Sequence, residues 1–246
     1  MSIETSLSDF VDKILVISKP EIINIEERAY TNKTLAPVYD PVPKNPIIFK
    51  SLQGLVDYIN SNVDALDMAE LMVHVESPAS VIVYGCLTEK FLQRPVYAKS
   101  EYRMDTFNFN AYQSIDKTIV GLQSHFVMTG ELKELIRLLG SIVDSDVREV
   151  SDDTISQSVV VKTGVSMKDR AKLPNPITLN AFRTFSEVEQ PEGNYVVRLA
   201  KDGHDKGLPT VALFDSGGEG WKLDAMLNIK NFLSYRITDK NLPILA

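Results

Sequence analysis

The sequence predicts an α+β protein whose sheets are mostly antiparallel and carry several amphipathic helices. First, turn signals such as Ser77-Pro78 and Gln190-Pro191-Glu192-Gly193 separate pairs of apolar or alternating stretches, as in β-hairpins. Second, apolar residues recur at helical spacing after candidate N-caps such as Ser51 and Thr129. Third, the predicted strands follow one another in runs, whereas a parallel sheet needs strands that alternate with helices.

The composition is that of an ordinary globular protein. Of its 246 residues, 44% are hydrophobic and 24% charged, and 26 basic against 33 acidic residues leave a formal charge of −7. An acidic chain without a Lys/Arg cluster predicts no binding to duplex nucleic acid, since that affinity comes mainly from neutralising phosphates. Cys86 is the only cysteine, so an intrachain disulfide and a cysteine-based zinc site are excluded.

The N-terminus predicts a protein that stays in the cytoplasm. It opens with acidic residues and lacks the basic region and the small-residue cleavage site of a signal peptide. The apolar run Ile14–Ile17 is far too short to span a bilayer, so no membrane partner is expected. A single cysteine also fits a reducing compartment.

Residues 1–46 are predicted to form an N-terminal arm with a proline-rich linker, and residues 47–246 the main α+β domain. Ser8–Ile17 has the apolar spacing of a short helix, and the alternating Ile23 and Ile25 indicate a strand. Ala36–Pro46 contains four prolines and is the clearest linker in the chain. The arm is interpreted as a structured lead-in to the domain, with a partner-binding arm as the alternative.

Each element of the main domain has a local signal. The predicted elements are, in order, a helix over Leu52–Asn60 capped by Ser51, a hairpin of Leu71–Val75 with Ser80–Leu87, a strand over Arg94–Tyr102, helices from Ile115 and after Thr129, strands over Ser156–Val165 and Thr210–Phe214, and a helix from about Asp224. Gly140 is predicted to end the helix that follows Thr129, because glycine is common just past a helix C-terminus.

Two clusters invite a functional interpretation that the sequence does not favour. The acid-rich segment Asp144–Asp153 offers carboxylates of the kind that divalent cations prefer, but its spacing matches no calcium loop. A solvated turn is therefore predicted, and no metal site. Phe107, Phe109 and Tyr112 are aromatic residues that can stack nucleobases, but no basic residues accompany them, so a core or subunit contact is preferred.

The chain is organised around a predicted β-hairpin. Its first strand, Thr178–Glu189, is rich in β-branched and aromatic residues, and Tyr195–Leu199 returns after the turn at Gln190–Gly193. Neither face of the first strand is cleanly apolar. Such a strand suits a position between a core and a second subunit.

Charged residues of this hairpin suggest two kinds of contact. Alternation places Arg183, Phe185, Glu187 and Glu189 on one face of the first strand. Arg183 and Arg198 are predicted to form cross-strand ion pairs with Glu187 and Glu189. Anion binding by the two arginines is the alternative.

Several stretches taken together resemble a family of uncharacterised phage and prophage proteins, the YfdQ-like family. They are SLQGLVDYI from Ser51, LMVHVESPASV from Leu71, VGLQSHFV from Val120, DDTISQSVVVKTGVS from Asp152, PNPITLNAFRTFSEVEQP from Pro174 and GWKLDAMLNI from Gly220. The resemblance covers about Ile47 to Ile237, and it departs at Thr154, where the family pattern has a glycine. It implies a phage-encoded protein in the cytoplasm of a bacterial host, and it supplies no catalytic residue.

The sequence carries no catalytic signature, so a non-enzymatic function is predicted. We expect a bacteriophage protein that self-associates as a homo-oligomer and acts by binding, in host takeover, counter-defence or phage DNA metabolism, without a cofactor. The candidate interface or ligand contacts are Arg183, Phe185, Glu187, Glu189, Arg198 and Trp221.

Two alternatives are kept open. The first is a binder of a small anionic ligand or nucleotide, or an enzyme acting on one, that uses Arg183, Arg198 and the loop Asp215–Trp221. The second is a single-stranded nucleic-acid binding protein that stacks bases on Phe107, Phe109 and Tyr112.

Overall fold

A computed structural model describes residues 9–15, 19–25, 28–32, 45–88, 92–103, 105–143, 150–152, 157–163, 167–201 and 209–246. The chain divides into two compact units, residues 1–41 and 42–246. Helices and mostly antiparallel sheets make up the described part, so the α+β prediction is confirmed.

The first unit contains a short helix and a hairpin. Helix α1 covers residues 9–15, and strand β1 (Ile22–Ile25) pairs antiparallel with β2 (Arg28–Thr31). The Asn32 side chain accepts a hydrogen bond from the Glu21 backbone N–H at 3.0 Å, and this bond joins the two ends of the hairpin opposite its turn.

The second unit holds the remaining described α-helices and strands, and a short 3-10 helix at Met68–Glu70. The α-helices and strands are, in chain order, β3 (Ile47–Phe49), α2 (Leu52–Ser61), β4 (Leu71–Ser77), β5 (Ser80–Gly85), β6 (Val96–Glu101), β7 (Gln113–Ser114), α3 (Ile115–His125), α4 (Gly130–Val143), β8 (Val150–Asp152), β9 (Gln157–Thr163), β10 (Met167–Lys172), β11 (Ile177–Leu179), β12 (Gly193–Lys201), β13 (Pro209–Asp215), α5 (Gly220–Arg236) and β14 (Ile244–Leu245). Their sheets have the strand orders β14-β4-β5-β6-β3, β11-β12-β13-β7 and β10-β9-β8.

A first core lies between the five-stranded sheet and helices α2 and α5. Along β4, Leu71, Val73 and Val75 alternate inward and pack against the apolar faces of both helices. The predicted β4–β5 hairpin is confirmed, with its turn at Pro78-Ala79. The hydroxyl of Ser51 accepts from the Gly54 N–H at 3.1 Å, so the predicted cap of α2 is confirmed as well.

A second core lies between the four-stranded sheet and helices α3 and α4. Every second residue of β12 faces it, and Tyr195 and Val197 are fully buried there. Thr129 caps α4 as predicted, since its hydroxyl accepts from the Leu132 N–H at 3.2 Å. The predicted end at Gly140 is wrong: the helix continues to Val143, because an internal glycine costs only about 1 kcal/mol and the next turn buries Ile142.

The third sheet is a small antiparallel one, in which β9 pairs with both β8 and β10. It begins within the acid-rich segment 144–153. Asp152 ends β8, whereas Asp144, Asp146 and Asp153 lie outside the described residues. Residues 202–208, predicted as a polar loop, also lie outside them.

The predicted long hairpin strand Thr178–Glu189 is wrong. Only Ile177–Leu179 form a strand, which pairs with the start of β12, and residues 180–192 form a loop. The physical reason is tertiary: the loop carries Phe185 into the first core, where its side chain is fully buried. Burial of a phenylalanine outweighs the β-propensity of its neighbours, which spans about 1 kcal/mol.

Candidate functional site

The loop 180–192 connects the two cores of the second unit. At its start, Ala181 is buried in the second core, while Phe185 enters the first core beside Tyr102 with ring centroids 5.4 Å apart. The Thr184 hydroxyl donates to the Pro78 carbonyl at 2.6 Å and ties the loop to the β4–β5 turn. Arg183 therefore lies at the junction between the cores.

The buried side chain of Gln190 fixes the loop around Arg183. Its Oε1 accepts from the backbone N–H groups of Arg183 at 2.9 Å and Thr184 at 3.2 Å. Its Nε2 donates to the carbonyls of Phe185 at 3.0 Å and Val188 at 3.3 Å. One amide thus satisfies backbone groups of a loop that forms no strand pairing there, and it fixes the backbone that carries Arg183.

The guanidinium of Arg183 is buried among aromatic rings. The side chain is only 8% exposed, and its Nη2 donates to Asp215 Oδ2 at 2.8 Å. Its Cζ lies 4.7 Å from the ring centroid of Trp221, 4.9 Å from that of Phe109 and 5.4 Å from that of Tyr195. These contacts are favourable cation–π geometry in a partly desolvated setting.

Two buried polar atoms of this cluster lack a hydrogen-bond partner within the described part of the chain. They are Nη1 of Arg183 and the hydroxyl of Tyr195. An unsatisfied buried donor costs about 1–3 kcal/mol, and more when it is charged. The cluster is therefore a costly arrangement for a purely structural contact, and such sites are candidates for function.

Burial raises the pKa of the Tyr195 hydroxyl to about 12; the charge of Arg183 opposes the rise and that of Asp215 adds to it. Because the folded pKa exceeds the unfolded value of about 10, the free energy of unfolding does not depend on this group below about pH 10, and it falls as the pH rises from about 10 towards 12.

Tyr195→Phe is expected to raise the free energy of unfolding by about 1 kcal/mol near neutral pH, because it removes a buried hydroxyl that has no hydrogen-bond partner among the described residues. Its advantage over the wild type should widen above about pH 10, where the unfolded tyrosine ionises. Urea denaturation across pH measures both effects. Tyr112→Phe, at a half-exposed ring, is the control and should change neither quantity; a less stable Tyr195→Phe protein at neutral pH would contradict the expectation.

Two cavities meet at Arg183. The first, which we call the Trp221 cavity, has a volume of about 280 Å³ and is lined by Thr106, Phe107, Phe109, His125, Ala181, Phe182, Arg183, Asp215 and Trp221. The second, the Arg103 cavity, has a volume of about 590 Å³ and is lined by Ala79, Tyr102, Arg103, Asp105, Thr106, Phe182 and Arg183. Thr106, Phe182 and Arg183 line both, so the two cavities adjoin.

Helix α5 carries Trp221 into the site, and it begins earlier than predicted. The helix begins at Gly220 rather than near Asp224, which places Trp221 in its first turn. The preceding turn is closed by Gly218, whose φ of 66° suits glycine, and by Asp215 Oδ1, which accepts from the Gly217 N–H at 3.1 Å. Turn chemistry thus accounts for the glycine-rich loop, and the same turn brings Asp215 and Trp221 into contact with Arg183.

The other predicted contacts lie away from these cavities. Arg183 pairs with Asp215, so its predicted ion pair with Glu187 or Glu189 is wrong. Glu187 Oε1 instead accepts from the Leu52 N–H at 2.8 Å and so stabilises the N-terminus of α2. Glu189 is exposed, and Asn228 donates to its backbone carbonyl at 3.0 Å.

Arg198 and Phe185 also leave the predicted arrangement. Arg198 stands between the buried Val197 and Leu199, so it occupies the opposite face of β12 from Tyr195. The sheet therefore separates the two arginines whose joint binding of an anion was the alternative to ion pairing. Phe185 is a core residue with no exposed surface to offer a second subunit.

Two of the three aromatic residues of the predicted cluster, Phe107 and Phe109, pack into the second core, whereas Tyr112 does not. Phe107 is buried, and Phe109 stacks on Tyr195 with ring centroids 5.4 Å apart and planes 9° from parallel. Tyr112 remains half-exposed and packs its edge against Phe214. Phe107 and Phe109 are therefore walls of the Trp221 cavity.

Within the described residues, no group of three or more His, Cys, Asp or Glu side chains is arranged to hold a metal ion. None of the described helices is both long enough and apolar enough to span a membrane. Comparisons with protein-family models, with curated proteins and with solved structures found no match. The resemblance to a phage family therefore stays a prediction, and the function has to be inferred from the geometry around Arg183.

Proposed function

We propose that this protein binds a small, planar, anionic ligand at the junction around Arg183. One observation carries the proposal: a nearly fully buried guanidinium, with one nitrogen lacking a hydrogen-bond partner among the described residues, lines two adjoining cavities. Concave sites with aromatic walls and a few convergent polar groups are where proteins usually bind small molecules.

The chemistry of the walls supports a planar ligand. Trp221 and Phe182 line the Trp221 cavity, and an aromatic ligand gains stacking energy on such rings. Nη1 of Arg183 is shielded from solvent, so neighbouring side chains would have to move for a ligand to reach it. An acceptor on the ligand then supplies the partner that Nη1 lacks in the described part of the chain, and a charged acceptor forms the strongest hydrogen bond.

The site supports binding better than catalysis. Asp215 is held by Arg183, and His125 Nδ1 lies 2.8 Å from the Ser124 hydroxyl oxygen and 3.0 Å from the Gly121 carbonyl. Both groups are thus engaged in contacts that fix the fold. A general base needs a nucleophile or a substrate proton within hydrogen-bond reach. The Ser124 hydroxyl is within reach of His125, but it donates to the Val120 carbonyl at 2.8 Å and lines neither cavity.

Trp221 is the only tryptophan of the sequence, so its fluorescence reports directly on the site. Titration with nucleotides and cyclic nucleotides is expected to change its emission saturably and to raise the melting temperature, because a ligand that binds only the native state stabilises it. Arg183→Met should weaken binding at least tenfold, which corresponds to about 1.4 kcal/mol.

Arg198→Met is the matched control, since it removes the same kind of charge from the face of β12 that lies opposite Tyr195 and the site. It should bind like the wild type. Equal binding by Arg183→Met and the wild type would contradict the proposed site, and so would the absence of any emission change across the series.

We keep self-association inside a phage-infected host as a second proposal. Phe185, the apolar residue of its predicted surface, is buried. The edge strand β3, however, exposes both Ile47 and Ile48, and apolar edge strands are prone to pair with another chain. A native mass spectrum of the purified chain is the test: a homogeneous homo-oligomer supports this proposal, and a monomer at micromolar concentration contradicts it.

A further inference from the structure

We infer that the ligand is a nucleotide held at two points, with its base in the Trp221 cavity and its phosphate on Arg103. The inference rests on the proposed function and adds the class of ligand and a second anchor. Because Thr106, Phe182 and Arg183 line both cavities, one molecule can extend from the first cavity into the second.

Arg103 is the cation available for a phosphate. Arg183 already shares its charge with Asp215, whereas Arg103 is exposed and forms no ion pair with a described residue. The neighbouring Glu101 does not neutralise it by contact, because its carboxylate pairs with Lys99 at 3.1 Å and Lys50 at 3.8 Å. A guanidinium binds a phosphate through two parallel hydrogen bonds, which suits an anchor at the mouth of a cavity.

The residues between the two anchors favour a ligand in which a sugar joins the ring to the phosphate over one in which the anion is attached directly to the ring. Asp105 and Thr106 line the wall of the Arg103 cavity, where they offer a carboxylate and a hydroxyl. Sugar hydroxyls donate readily to a carboxylate, as in dinucleotide-binding folds, where an acidic residue holds the ribose. An aromatic acid has its anion close to the ring and would leave these groups without a partner. The volume of about 590 Å³ also exceeds what a phosphate alone would fill.

The base would lie against the polar edge of the Trp221 cavity, which Arg183 and Asp215 form. The guanidinium donates and the carboxylate accepts, so this edge can pair with a ring that has both acceptors and donors. Nucleobases have such edges, and they stack on indole and phenyl rings for about 1–3 kcal/mol per base. Both features distinguish a base from a purely apolar ring.

The test compares four probes on the full chain by Trp221 fluorescence and calorimetry: a nucleoside, its 5′-monophosphate, inorganic phosphate, and an aromatic acid such as indole acetate. We expect the monophosphate to bind at least tenfold more tightly than the nucleoside. Arg103→Gln should abolish this difference. Lys133→Gln, an exposed charge on α4, is the matched control and should preserve the difference.

The outcomes separate the inference from the proposed function. Equal affinity for nucleoside and monophosphate, or an Arg103→Gln protein that retains the tenfold difference, would overturn the phosphate anchor and leave a ligand site at Arg183. Tighter binding of the aromatic acid than of the monophosphate would overturn the nucleotide assignment. No binding of any probe would overturn both the inference and the proposed function.

Discussion

Replacing Phe185 with alanine is expected to lower the free energy of unfolding by about 3–5 kcal/mol. The side chain is fully buried in the first core, where it packs against Tyr102. The loop 180–192 that carries it begins in the second core. Its removal would cost the transfer free energy of the ring and leave a cavity where the loop 180–192 is attached. Urea denaturation followed by circular dichroism measures the loss.

Phe182→Ala is the matched control, because this ring is only half-buried and lines the two cavities. It should cost far less stability than Phe185→Ala. Phe185→Glu distinguishes the core from a subunit interface: a charge buried without a partner prevents folding, whereas at an interface the same change would leave a folded monomer. A folded Phe185→Glu protein, or a loss below about 1 kcal/mol for Phe185→Ala, would show that the residue does not anchor the loop.

Much of the fold can be predicted from local signals in the sequence. Ser51 and Thr129 cap helices where side-chain chemistry places them, and the Ser77-Pro78 turn joins two antiparallel strands. These features depend on residues a few positions apart, so their periodicity and turn chemistry are readable from one sequence. The α+β class then follows from the order of the elements.

The site can be predicted only in part, because it is assembled from distant positions. Arg183 and Trp221 are both candidates from the sequence, but no local pattern pairs Arg183 with Asp215, which is 32 residues away. The loop 180–192 has the propensity of a strand, and only the burial of Phe185 in another core reveals otherwise. The one available signal is Asp215 itself, an acid at the end of an apolar strand before a glycine-rich turn.

Asp215→Ala is expected to lower the free energy of unfolding by about 2–4 kcal/mol, because it leaves the buried Arg183 charge without its carboxylate. The loss should fall towards the lower end of this range, since the Asp215 side chain is 23% exposed and water reaches it. Arg183→Met should cost much less. Methionine fills the space between the rings of Phe109 and Trp221 and needs no counter-charge.

The double variant Arg183→Met/Asp215→Ala is therefore expected to be more stable than Asp215→Ala alone, with a coupling of at least about 1 kcal/mol in the double-mutant cycle. The exposed pair Glu134 and Arg137 on α4 is the matched control, and its cycle should show a coupling near zero. If the losses in the free energy of unfolding caused by Arg183→Met and Asp215→Ala are simply additive, the pair is solvated and the two residues do not depend on each other. Arg183→Met is expected to lose ligand binding while its free energy of unfolding stays nearly unchanged. Together with a strong coupling to Asp215, this result would show that Arg183 is needed for binding and not for the stability of the fold.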